Sequence, residues 1–101
     1  MNDSPDMTRQ PDVLEAQWDL EQVDNLFEDL QQGADVQHVQ VRTAPDGGPQ
    51  DRVVTLHEAH ELLRNGQLKA IQVRYEFDEK SWCDTLMFDP AAVRIIRTRL
   101  C

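Results

Sequence analysis

The sequence predicts an α+β fold, a two-layer sandwich in which about four mostly antiparallel strands carry two helices on one face, in the order α-β-α-β-β-β. Three observations lead there. Val13, Ala16, Leu20, Val23, Leu26, Phe27 and Leu30 recur at the three- and four-residue spacing of an amphipathic helix. Thr55 and Glu58 have the spacing of a capping box ahead of Leu56, Ala59, Leu62 and Leu63, a second helix. The stretch LKAIQVRYEFDEKSWCDTLMF, residues 68–88, holds Tyr75, Phe77, Trp82 and Phe88 in the alternation of two strands joined by a polar turn.

Taken in order, residues 1–11 have two prolines and no periodicity, the composition of a flexible tail, and residues 12–101 form a single domain. Asp12 with Glu15 predicts the N-cap of the first helix and Gly33 its stop. Leu14 and Trp18 then fall off the apolar stripe, on the far side of that helix. Residues 36–43 alternate Val39 and Val41 with His38, Gln40 and Arg42, the pattern of a strand with one wet face. Residues 44–51, APDGGPQD, read as a surface loop. The second helix spans about nine residues, stopped by Asn65-Gly66, and is too short to persist unless packed on the sheet. The passage from the first strand through this helix to residues 68–77 has the length of a crossover that would make those two strands parallel.

A turn at residues 78–81 sets Phe77 opposite Trp82, Tyr75 opposite Asp84, Val73 opposite Leu86 and Ile71 opposite Phe88. The last segment is ambiguous, because Asp89-Pro90 suits a helix start whereas Val93, Ile95, Ile96 and Thr98 are β-branched. A strand is the expectation, since it sets Val93 against Phe88, Ile95 against Leu86 and Arg97 against Asp84.

The net charge of −9 is confined to one part of the chain. Residues 1–35 hold ten acids against Arg9 alone, and the remainder balances. Such a charge disfavours nucleic acid and anionic membranes as partners and allows a protein with a basic surface. The cluster Arg94, Arg97 and Arg99 is expected to pair with the protein's own acids or with those of a second copy. If the last strand is an edge, these arginines would also discourage strand addition. The start of the chain is polar and acidic, and no run approaches a membrane span, so the expected location is the cytoplasm. Cys83 and Cys101 are expected to be free thiols.

Two surfaces are candidate sites. The first is a partner-binding surface of Leu14, Trp18, Glu21, Asp24 and Glu28 on the acidic helix, where an exposed tryptophan would act as an anchor. The second is a ligand pocket formed by Tyr75, Phe77, Trp82, Asp84 and Arg97, because a carboxylate on an apolar face must be paired or protonated. A Tyr75-Asp84-Arg97 row across three strands would satisfy that need without any ligand. His57, His60 and Glu61 share a helix face, expected to be exposed, but lack the His-Glu-x-x-His spacing of a zinc site. No nucleophile-base pair, phosphate loop or second acid near Asp84 is evident, so neither a cofactor nor catalysis is expected. The expectation is a small interaction or accessory protein. A small-molecule-binding domain around Asp84 is the alternative, and sheet edges leave room for a homodimer.

Overall fold

The computed structural model describes residues 13–45, 47–89 and 92–100. The expected tail at residues 1–11, the cap at Asp12 and the thiol of Cys101 lie outside the described residues. The elements are β1 (Val13–Trp18), α1 (Leu20–Gly33), β2 (Asp35–Thr43), β3 (Gln50–Val53), α2 (Leu56–Arg64), β4 (Leu68–Phe77), β5 (Lys80–Phe88) and β6 (Val93–Leu100). They form one antiparallel six-stranded sheet in the order β1-β6-β5-β4-β2-β3. The α+β class and the two helices are as expected; the number and order of strands differ.

The largest correction concerns residues 13–18, expected as the first turns of a helix. They form edge strand β1, paired with β6 from Val13 opposite Thr98 to Trp18 opposite Val93. The helix starts after Asp19, whose Oδ1 accepts from the Gln22 amide at 2.9 Å while the Gln22 side chain accepts from the Asp19 amide at 3.0 Å. This capping box lies nearer the buried stripe than Asp12-Glu15, and the six residues before it gain a full set of strand partners. The last strand is therefore not an edge, and β6 lies between β5 and β1.

The expected loop 44–51 is also shorter than predicted, because Gln50–Val53 pair with Gln40–Thr43 as a hairpin. Arg42 and Asp51, directly opposite, join through Nε to Oδ1 at 2.8 Å. The chain then reverses through α2 and enters β4 antiparallel to β2, so the expected parallel pair does not form. Two helix-connected, non-adjacent pairs run the same way instead. β3 and β4 flank β2 and are joined by α2, and β1 and β2 have β6, β5 and β4 between them and are connected by α1 across the sheet.

Alternation places Val39, Val41, Ile71, Val73, Tyr75, Leu86, Val93 and Ile95 under the helices, all buried. From above, α1 supplies Val23, Leu26, Phe27 and Leu30, and α2 supplies Ala59. A register shift between Val36 and His38 keeps Val36 and Val39 on the same face despite their odd spacing. Helix α2 has the expected Thr55-Glu58 capping box. It ends as expected at Asn65-Gly66, where the Gln67 amide donates to the Leu62 carbonyl, the Gly66 amide donates to Leu63, and Gly66 has a φ of 71°. These are the two bonds of a Schellman stop, whose left-handed position glycine takes without the steric cost of a β-carbon.

Register decides what surrounds Asp84. Between β5 and β6 it is as expected, with Phe88 opposite Val93, Leu86 opposite Ile95 and Asp84 opposite Arg97. Between β4 and β5 it is displaced by two residues. Tyr75 faces Trp82, Val73 faces Asp84, Ile71 faces Leu86 and Phe77 faces Lys80. The turn holds only Asp78 and Glu79, both left-handed at φ 54° and 63°, the two-residue geometry that continues a strand twist. A displacement of two leaves every side chain on its expected face.

Candidate functional site

The Asp84 cluster is built on three adjacent strands. Asp84 is fully buried, and its two oxygens receive three donors. Arg97 Nε donates to Oδ1 and Nη2 to Oδ2, each at 2.9 Å, and the Tyr75 hydroxyl donates to Oδ2 at 3.0 Å. Arg97 lies directly across from Asp84, whereas Tyr75 reaches it diagonally past Val73, a span a phenol can bridge. Burial, and then the negative charge of Asp84, push the Tyr75 phenol well above its usual range. The hydrogen bond to Asp84 and its charge raise the Arg97 guanidinium.

This arrangement suits a tie better than a reaction centre. A general base needs an accessible lone pair on a substrate-facing side. The Asp84 carboxylate is enclosed, and Tyr75 beside it belongs to the same buried core as Leu26, Phe27 and Leu30 of α1. Of the other expected pocket residues, Trp82 packs partly buried against the core and Phe77 is half exposed. The Phe77 ring lies at the end of α1, with Cε1 3.7 Å from where a β-carbon on Gly33 would be. Within the Tyr75-Asp84-Arg97 row only Arg97 extends outward, with a side chain 30% exposed.

The expected partner surface is divided by the helix correction. Leu14 and Trp18 still share a face, now by strand alternation rather than by a helical turn, and that face is on the helix side of the sheet. Leu14 is exposed opposite Arg97; Trp18 is partly buried against the core. Glu21 and Glu28, two turns apart, occupy the outer side of α1, away from its buried stripe. Asp24 turns toward α2, where its Oδ1 lies 2.9 Å from His60 Nε2.

His60 is therefore not on the exposed face expected for it. It is buried, stacked on Phe27 with ring centroids 4.6 Å apart and planes 4° from parallel. His57 remains exposed. Among the described residues no group of three His, Cys, Asp or Glu side chains is arranged to hold a metal ion. Cys83 is a buried free thiol whose cross-strand neighbour on β4 is Arg74.

Trp18 forms the boundary between two depressions. On one side is an open cleft of about 500 Å³ with Leu20, Leu63, Leu68, Phe88 and Val93 in its lining and Asp19, Asp89 and Lys69 at hand. On the other is a shallower groove of about 270 Å³ lined by Gln22, Asn25, Leu26, Asp29 and Arg97. The sequence reading named the acids Glu21, Asp24 and Glu28, whereas the polar α1 residues that line the groove with Trp18 are Gln22, Asn25 and Asp29. Helix α1 with its cap contains Asp19, Glu21, Asp24, Glu28 and Asp29 and no basic residue. The arginine cluster is largely neutralised, Arg94 by Glu15 on β1 and Arg97 by Asp84. No helix of the described residues is long and apolar enough to cross a membrane. Comparison with protein-family models, with curated proteins and with solved structures finds no match.

Proposed function

We propose that this chain is a small cytoplasmic interaction or accessory protein. It binds another protein through the surface where β1 meets α1 and performs no catalysis of its own. The observation that carries this reading is the position of Trp18. A large amphipathic side chain between an apolar cleft and a polar groove has the setting in which tryptophans contribute most to protein association. The acids of α1 beside it have no bases among them, which favours a partner with a basic surface and repels nucleic acid and anionic lipid. The reading that places a small molecule at the aromatic face receives less support, since Tyr75 is buried in the core and the Asp84 oxygens already hold three donors.

The test begins with affinity capture to obtain the partner, followed by calorimetry on the purified pair. Trp18→Ala is expected to weaken binding by on the order of tenfold or more. Neutralising Glu21, Glu28 and Asp29 to their amides is expected to weaken it further and to flatten its dependence on salt. Asp24 is left intact because it holds His60. Unchanged affinity in both variants, with both folded by circular dichroism, would remove the basis for this reading.

A further inference from the structure

The cleft next to Trp18 points to the kind of partner segment that the surface takes. It is about 500 Å³ in volume, the size of a ligand site, and its interior is largely apolar. It is not a closed chamber. Trp18 lines both this cleft and the polar groove, so the two depressions adjoin at its ring, an arrangement that suits a chain lying across the surface.

Charge along that track is uneven. Asp19 and Asp89 border the cleft with Lys69, and Asp29 lies in the groove beyond Trp18. Arg97, also in the groove, is already neutralised by Asp84 through two hydrogen bonds. Leu20, 60% exposed, extends the apolar rim toward the acidic side of α1. The electrostatic complement of this track is a segment with positive charge on both sides of an apolar anchor.

We infer that the cleft is the anchor site for a basic amphipathic segment of another protein. One bulky apolar side chain of that segment inserts beside Trp18, and flanking lysines or arginines reach Asp19 and Asp89 on one side and Asp29 on the other. The inference rests on the protein-interaction reading for the identity of the ligand as a polypeptide, and adds the anchor chemistry and the place where it seats.

The experiment is a nitrogen-15 and carbon-13 NMR titration of the full chain with three synthetic hexapeptides. One has a phenylalanine-leucine core between lysine-arginine pairs, one has the same basic flanks around two alanines, and one has the phenylalanine-leucine core between glutamates. The first is expected to shift the Trp18 indole and the side chains of Leu63, Phe88 and Val93 saturably. The alanine-core peptide is expected to bind at least tenfold more weakly, and the acidic peptide more weakly still. Ala92→Phe, which narrows the cleft, and Leu20→Ser, which trims its rim, are each expected to weaken the first peptide several-fold. Equal binding of the two basic peptides would overturn the anchor site while leaving an acidic interaction surface in place. Equal binding of the acidic peptide, or no saturable shift near Trp18 from any peptide, would also overturn it. Failure of the interaction reading shows differently, as a natural partner indifferent to Trp18→Ala while the first peptide still enters the cleft.

Discussion

Arg97 holds Asp84 by two parallel hydrogen bonds of 2.9 Å, and the carboxylate it holds has no exposed surface. A buried charge of this kind persists because its partner supplies both attraction and donors. Arg97→Ala leaves the carboxylate with Tyr75 alone. Breaking such a pair costs about 3–5 kcal/mol, and the lower end is expected here because the Arg97 side chain is 30% exposed. Urea unfolding measures the loss. Replacing the whole row, Asp84→Leu and Arg97→Met with Tyr75→Phe, is expected to recover much of it, since no charge is left to desolvate and no buried hydroxyl is left unpaired. A loss for Arg97→Ala under about 1 kcal/mol, the level of a surface pair, would show that no tie exists.

Tyr75 is the only tyrosine in the chain, so its ionisation can be followed by ultraviolet absorbance without interference from another phenol. Burial and the Asp84 charge raise its pKa in the folded protein. The folded state then binds a proton that the unfolded state releases near pH ~10, and stability falls with rising pH above that value. The folded protein is expected to show no phenolate band at the pH where the urea-unfolded chain gives a full one. Tyr75→Phe is expected to remove this component of the alkaline slope. A phenolate band from folded protein near pH ~10 would contradict the burial of the hydroxyl.

The link between the two helices is expected to depend on His60 more through its ring than through its hydrogen bond. The stack on Phe27 lies inside the core, whereas the Asp24 carboxylate that accepts from His60 is about half exposed. His60→Ala removes the stacking and leaves a cavity, for an expected loss of ~2–3 kcal/mol. Asp24→Ala removes only the hydrogen bond, for about 1 kcal/mol. Denaturation midpoints of the two variants rank them, and the reverse order would place the helix contact elsewhere.

The turn at Asp78-Glu79 keeps two residues with side chains in the left-handed region. That conformation costs roughly 1–2 kcal/mol per residue, least for asparagine and glycine. Asp78→Asn with Glu79→Gly is expected to raise the melting temperature, because it matches the residues a two-residue hairpin prefers. A fall in melting temperature would mean that the hairpin closes through a longer turn.

Where the sequence was misread, two local patterns competed. Residues 13–18 satisfy a helical spacing through Val13 and Ala16, but they also alternate, with Leu14, Ala16 and Trp18 on one face and Val13, Glu15 and Gln17 on the other. Asp12 with Glu15 and Asp19 with Gln22 both fit a capping box, and only pairing with β6, a contact distant in sequence, decides between them. Strand β3 has Val53 as its sole apolar residue, so pattern alone gives little sign of it; backbone pairing and the Arg42–Asp51 bridge mark it in the structure. The Thr55 and Gly66 signals were local and were legible. So was the row of Tyr75, Asp84 and Arg97, because a two-residue shift in register preserves the face. The burial of His60 was not legible, since it depends on how α1 and α2 lie against each other.

The most direct test of the proposed contact surface is photo-crosslinking in cells from two exposed positions at opposite ends of the sheet order. A photoreactive residue replaces Leu20, at the Trp18 cleft, or Val53, on the far edge strand β3; both are exposed, at 60% and 67%. A defined adduct to another protein from position 20 and none from position 53 is the expected result. An adduct from position 53 alone, or none from position 20 in cells that make the partner, would contradict the assignment of the Trp18 flank as the working surface.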